Sequence, residues 1–323
     1  MKSLWVVSII VLNMVSCGHI KGLTPVETDQ PAVPGVQEEA SEPGITEPTD
    51  SDDTETPLPP QEITPTNTSL PAPAQPEPDA PAAIIARVEG MSSFILVGGS
   101  LNGAWVGSEE MLAALSVDQT YQLYSADHFL GVGKGDFLDY VSICKETFVD
   151  LAFADAGQHV LGLSGDWPAL PRIPQELAVD FEVYLEAVAG WLVDQAPSQP
   201  VVMIEKIWRV DMEGDGTDEV FINATRFSEP SGHSVEPRDY SVVLMRTVIG
   251  NEVVTVELVG DYYPESVELQ FPLTYSLEFI GDLNGDGRLE VVVGVTRWEG
   301  VGVLVFEIDH ENVEQVLSVM CFE

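Results

Sequence analysis

Asp211-Met212-Glu213-Gly214-Asp215-Gly216-Thr217-Asp218-Glu219 runs directly into Val220-Phe221-Ile222. About 71 residues further on, Asp282-Leu283-Asn284-Gly285-Asp286-Gly287-Arg288-Leu289-Glu290 runs into Val291-Val292-Val293. The same loop is written twice, and each copy follows one apolar run and enters another, so the repeated unit is strand, loop, strand. In a tight loop of this spacing the side chains at positions 1, 3 and 5 converge on one point, and glycine at 6 permits a reversed backbone. The carbonyl at 7, here Thr217 or Arg288, faces inward, and a carboxylate at 9 completes an oxygen cage. Hard oxygen donors in this number suit Ca2+; magnesium demands a tighter octahedron, and no soft ligand invites zinc. An EF-hand would continue to a glutamate at position 12 and an exiting helix. Ile222 and Val293 stand there instead, and β-branched strands follow. A single copy is equally readable as an Asx-turn connection without metal; two copies with matching ligand positions favour the cage.

The paired loops resemble FG-GAP or VCBS-type repeats, the strand–loop–strand units of integrin α-chain β-propellers, over the stretch from about Val201 to Glu323. The resemblance implies calcium held by Asp211, Glu213, Asp215 and Glu219 in the first loop and by Asp282, Asn284, Asp286 and Glu290 in the second. The first loop departs from the pattern in carrying Glu213, longer than the usual Asp or Asn, at position 3. It also has one more carboxylate than the second, which favours stronger attraction for a cation. The folded region has room for about four blades at most. Less specifically, Trp167-Pro168, a helix from Gln175 and the strand Asp239-Tyr240-Ser241 resemble uncharacterised bacterial envelope proteins, a likeness that implies no activity.

The other end of the chain speaks to location. Met1 and Lys2 precede an apolar run from Leu4 to Val15 broken only by Ser8 and Asn13, the pattern of a secretory signal and too short to span a bilayer comfortably. Met14-Val15-Ser16-Cys17-Gly18 resembles the bacterial lipobox. That resemblance implies a lipoprotein signal peptide over 1–16 and Cys17 as the lipidated new N-terminus; an ordinary signal peptide or an uncleaved anchor are the alternatives. Residues 17–83 then read as lipid anchor and disordered stalk, because from Lys21 onward Pro, Thr, Glu, Asp, Ser and Gln dominate and too little apolar surface exists to offset ordering entropy. Pro57-Leu58-Pro59-Pro60 and its neighbours favour extended polyproline II.

Across the 323 residues, 53 acids face 13 bases, a formal charge of −40. Such a surface repels nucleic acid and anionic headgroups and makes cations the natural partners. With Cys17 lipidated, Cys144 and Cys321 remain; an oxidising compartment allows them to pair, and two buried free thiols are the other reading.

Short apolar runs separated by Gly, Asn, Asp and Ser predict a small β-rich unit over 84–165, with strands at Phe94, Tyr121, Phe148 and His159 and a short helix from Ser108 to Leu115. Within a linker and helix at 166–200, the stripe Leu177, Phe181, Leu185, Val188 and Leu192, with Trp191 beside it, predicts a helix from Gln175 to Gln195 that packs the two β units together. Strands resume over 201–323, including a hairpin turning at Gly250-Asn251. The expected fold is mainly β with one packing helix and partial propeller-like units.

Catalytic spacing is thin. Ser100 and Ser164 lack the Gly-x-Ser-x-Gly elbow, Gly131-Val132-Gly133-Lys134-Gly135 lacks the ending of a phosphate loop, and His128, His159, His233 and His310 are scattered. The sequence therefore points away from an enzyme, leaving a secreted-type hydrolase as a minor alternative. It favours a lipid-anchored extracytoplasmic binding or adhesion module for a protein or polysaccharide, against a structural envelope protein whose calcium only stabilises. An exposed aromatic patch around Trp105, Tyr262, Tyr263 or Trp298 would favour binding.

Overall fold

A computed structural model describes residues 81–88, 93–116, 118–137, 144, 146–151, 153, 159–195, 200–228, 234–268 and 270–322. Cys17, the signal peptide, nearly all of the stalk and His233 lie outside the described residues.

The first strands are β1 (Ala82–Arg87), β2 (Phe94–Leu101), β3 (Ala104–Gly107), β4 (Gln119–Tyr124), β5 (Phe129–Phe137), β6 (Phe148–Leu151) and β7 (Val160–Leu163), with helix α1 (Ser108–Ala114) after β3. Their sheet order is β1-β7-β4-β5-β6-β2-β3, and β1 also pairs with β2, so six strands close into an antiparallel barrel. Its interior is filled by Ile85, Leu96, Tyr121, Leu123 and Val149, under Met111 of α1. The first described strand already includes Ala82 and Ala83, which pair with Ser100 and Gly99. A Cβ on Gly99 would stand 2.0 Å from the Ala82 carbonyl oxygen, so the seam closes only with glycine there. Helix α1 starts on Ser108 itself, with Gly107 at the cap and no side-chain capping bond.

After the barrel come β8 (Gln175–Glu176), α2 (Glu182–Gln195), β9 (Ile204–Val210), β10 (Glu219–Arg226), β11 (Ser234–Val235), β12 (Asp239–Ile249), β13 (Glu252–Tyr263) and β14 (Val267–Glu268). The chain ends in β15 (Thr274–Gly281), β16 (Glu290–Arg297), β17 (Gly300–Asp309) and β18 (Asn312–Phe322). One sheet has the order β13-β12-β10-β9-β8, an up-and-down meander fringed by β8, and a second is the meander β15-β16-β17-β18. A two-stranded pair, β11 with β14, stands apart from both.

Face alternation along the strands fixes how these layers stack. Phe221, Val243 and Met245 on one face of the first meander bury against Val291, Val293 and Leu304 of the second. Val292, Val303 and Val305, on the opposite face of the second, bury against Ile84, Val97 and Leu163 outside the barrel. Val220, Ile222, Val242 and Leu244 lie under Val188 and Leu192 of α2. The order is therefore helix, first meander, second meander, barrel. Phe221 and Val292 correspond in the two copies and both face the barrel end, so the meanders repeat in the same sense along the stack. The central strands β10 and β16 are covered on both faces, which is why they read as continuous apolar runs such as Val291-Val292-Val293. Helix and barrel cap the two ends of this short repeat stack.

The outer edge of β15 is satisfied by side chains of the first meander. Asn223 donates to the Tyr275 carbonyl at 2.9 Å and accepts from the Leu277 amide at 3.1 Å, while Ser241 accepts from the Tyr275 amide at 2.8 Å and Lys206 donates to the Leu277 carbonyl at 2.8 Å.

The structure differs from the sequence expectation in the propeller-like units and in the start and role of the helix. The N-terminal unit is a closed barrel, so the described residues hold two blade-like meanders and no propeller ring. Helix α2 starts at Glu182, because Gln175 and Glu176 are taken as an edge strand against Arg209 and Trp208. It does not join the two β units; Val188 and Leu192 cover only the first meander, and Phe181 is half exposed. What joins barrel to meander is direct apolar packing, with a disulfide between Cys144 and Cys321.

Candidate metal centre

The two loops are the first connections of their meanders, β9 to β10 and β15 to β16. Glycines at left-handed φ, Gly214 and Gly216 in one and Gly285 and Gly287 in the other, allow both to fold back on their first aspartate. Asp211 accepts amides of Gly214, Asp215 and Gly216 at 2.5, 3.1 and 2.8 Å. Asp282 accepts those of Gly285 and Gly287 at 2.6 and 3.0 Å. At position 5, Asp215 accepts the Thr217 amide at 2.7 Å and Asp286 the Arg288 amide at 2.8 Å. At position 9, Glu219 and Glu290 each accept the amide just after the first aspartate, Met212 at 3.1 Å and Leu283 at 2.7 Å. The register of the repeat thus holds in three dimensions.

The loops also touch. The Leu289 amide donates to the Met212 carbonyl at 3.1 Å. Arg172 spans them, donating to the carbonyls of Asp211 at 2.5 Å, Met212 at 2.8 Å and Gly287 at 2.8 Å.

At position 9 the two loops differ. Glu219 Oε1 accepts the Thr247 hydroxyl at 3.1 Å, so both its oxygens are used. Glu290 is fully buried, and its Oε1 has no partner. The residue after the Val291–Phe306 pairing, where the first meander has Thr247 after Val220–Arg246, is Glu307. Glu307 instead accepts the indole N–H of Trp105 at 2.8 Å from the barrel. Burial pushes the Glu290 carboxyl well above the ordinary carboxylate value, and Asp286, Asp282 and Glu307 push the same way against the Leu283 amide. Asp282 is raised by burial and by Asp286, despite its amides. For Asp211 burial also pushes upward, but its amides and Arg172 outweigh that and leave it lowered.

No family model, curated protein or solved structure matches the chain.

Among the described residues, no three acidic, histidine or cysteine side chains are gathered round one point at coordinating distance. The carboxylates are turned to loop amides. Glu213 faces Arg288 and His310, each at 3.7 Å, and Asn284 is engaged with Asp286, accepting its amide at 2.9 Å. The second loop nevertheless fits a hard cation: its donors are oxygens, and a buried carboxylate oxygen lacks a partner among like charges. Asp282, Asn284, Asp286 and Glu290 would hold the ion there, and its charge would offset their repulsion.

Sequence reasoning missed Arg172, Thr247 and Glu307, and assigned Trp105 to an exposed patch rather than to its bond with Glu307. The scarcity of bases was the one available signal, since any arginine among 53 acids has many candidate partners. The aromatic patch does not form. Trp105 packs against the core between barrel and second meander and Tyr262 against the first meander, while Trp298 is 51% exposed in a turn. Apolar exposure lies elsewhere: Val179, Phe181 and Val183 at the start of α2, beside Val248 and Val253, which pair across β12 and β13. Arg246, two residues before Val248, donates to the Val183 carbonyl at 3.0 Å and so links the two groups.

Proposed function

We propose that the chain is an exported, lipid-anchored envelope protein whose outer domain is a binding module made rigid by calcium. The observation that supports the calcium reading is the unpaired Oε1 of buried Glu290, set among Asp282, Asp286 and Glu307. A divalent cation is the partner that such a group lacks. The repeated loops carry the sequence resemblance to FG-GAP and VCBS-type units, and the Cys144–Cys321 disulfide suits an oxidising compartment outside the cytoplasm.

The exposed group at Val179, Phe181, Val183, Val248 and Val253 supports a binding role, because apolar side chains gathered on an acidic surface are costly unless something covers them. A protein or polysaccharide from the envelope is the expected ligand. The test is capture from envelope extracts and on polysaccharide arrays with the full chain, with calcium and with chelator. Calcium-dependent capture, lost on Phe181→Ser, supports the module; no capture in either condition leaves the structural role. That second reading is favoured by one observation: Glu290 faces the barrel and is buried, so an ion there would join layers rather than meet a ligand.

A further inference from the structure

Position for position, the first loop has already found substitutes for an ion. Both oxygens of Glu219 are bonded, one to the Met212 amide and one to Thr247. Glu213 is turned out of its loop toward Arg288 and His310. Arg172 lies along the loop backbone, donating to the Asp211 and Met212 carbonyls. The positive charge that a cation would bring is thus supplied by two guanidinium groups, one of them lent by the second loop. The second loop is supplied less: Arg172 reaches only its Gly287 carbonyl, at 2.8 Å, its own Arg288 side chain turns away to the Ile308 carbonyl at 2.8 Å and to Asp309 at 3.0 Å, and Glu290 keeps an unpaired oxygen.

We propose that the first loop is not a cation site, that Arg172, Arg288 and Thr247 stand in there for the ion, and that the chain takes one divalent cation, at the second loop. This rests on the calcium reading above and reverses the order suggested by counting carboxylates, since the richer loop is the one whose position-9 glutamate has both oxygens bonded and whose Glu213 already faces an arginine. A guanidinium held by carbonyl acceptors cannot leave as a hydrated ion can, so the first loop stays folded when calcium is removed.

The test is a calorimetric titration of the chelator-stripped full chain with calcium chloride, with circular dichroism to show that each variant is folded. One ion per chain is expected. It should be lost in Asp286→Ala and in Glu290→Gln, whose amide keeps the side-chain shape and the acceptor for Leu283, and it should be retained in Asp215→Ala. Two ions in the wild type, or loss of the ion in folded Asp215→Ala, overturns the proposal while leaving the calcium reading intact. No ion in the wild type overturns the calcium reading and this proposal with it.

Discussion

Glu307 stands across from Glu290 in the second meander, at the place where Thr247 stands across from Glu219 in the first. Thr247 donates a hydrogen bond to its glutamate, whereas Glu307 can only repel its own and turns to Trp105 of the barrel. This one substitution between the copies thus separates a position-9 glutamate with both oxygens bonded from one with an unpaired oxygen.

Glu290→Gln should therefore have opposite effects in two conditions. In chelator it removes a buried carboxyl with an unpaired oxygen and supplies an N–H donor toward Glu307, and it should stabilise by about 1–3 kcal/mol. In saturating calcium it removes a ligand and should destabilise relative to wild type. Urea unfolding in both conditions reads the sign; destabilisation in chelator would show that Oε1 is satisfied in solution.

The same residue sets a pH dependence. In the folded, calcium-free protein Glu290 holds its proton above 4.5, the unfolded carboxyl value, because burial raises its pKa. Between that value and the raised folded one, the native state binds more protons than the unfolded state, so calcium-free stability falls as pH rises. Calcium must displace the proton, so its affinity should rise with pH over the same window. Melting temperature against pH should flatten for Glu290→Gln; an unchanged profile would assign the dependence to other acids.

Calcium at a hundredfold excess over its dissociation constant should add about 2.7 kcal/mol at one site. Chelator should lower the melting temperature of the wild type and leave that of Asp286→Ala unmoved. Indifference of the wild type to chelator would remove the calcium reading.

The disulfide closes a separation of 177 residues, tying the loop between β5 and β6 of the barrel to β18 of the second meander. Restricting so large a loop in the unfolded chain typically stabilises by about 2–4 kcal/mol. Cys144→Ser should lose that amount in urea unfolding, and Cys144→Ser with Cys321→Ser should lose no more. A variant that melts with the wild type would mean that barrel and meander packing holds the layers together alone.

Cys17→Ser should abolish incorporation of a palmitate analogue in bacterial cells, since the thiol is the acceptor in the lipobox reading. Labelling that persists would place the anchor elsewhere.

The meanders were legible from sequence because they are built from local pairings: a hairpin at Gly250-Asn251, strands with buried faces, and loops whose glycines and acids have fixed spacing. The barrel was not, because its closure joins β1 to both β2 and β7, and nothing in Ala82-Ala83 or Gly98-Gly99 announces a long-range seam. The helix start was misplaced for a related reason. Gln175 and Glu176 suit a helix by composition, but an open edge of β9 claims them.

The sequence by itself determined the repeat, the oxygen-donor chemistry of the loops, the acidic charge and the number of thiols, since each depends on residue type and spacing along the chain. Tertiary structure alone decided which loop keeps an unpaired buried carboxylate oxygen. That choice rests on Thr247 and Glu307, which lie well beyond the loops in sequence, and on Arg172, which precedes both. Burial then decides how strongly each carboxylate wants a partner. Asp211 and Asp282 are the same residue in the same loop position, yet the first is lowered and the second raised, because solvent and Arg172 reach one, while the other is buried beneath Trp167 and Ala169.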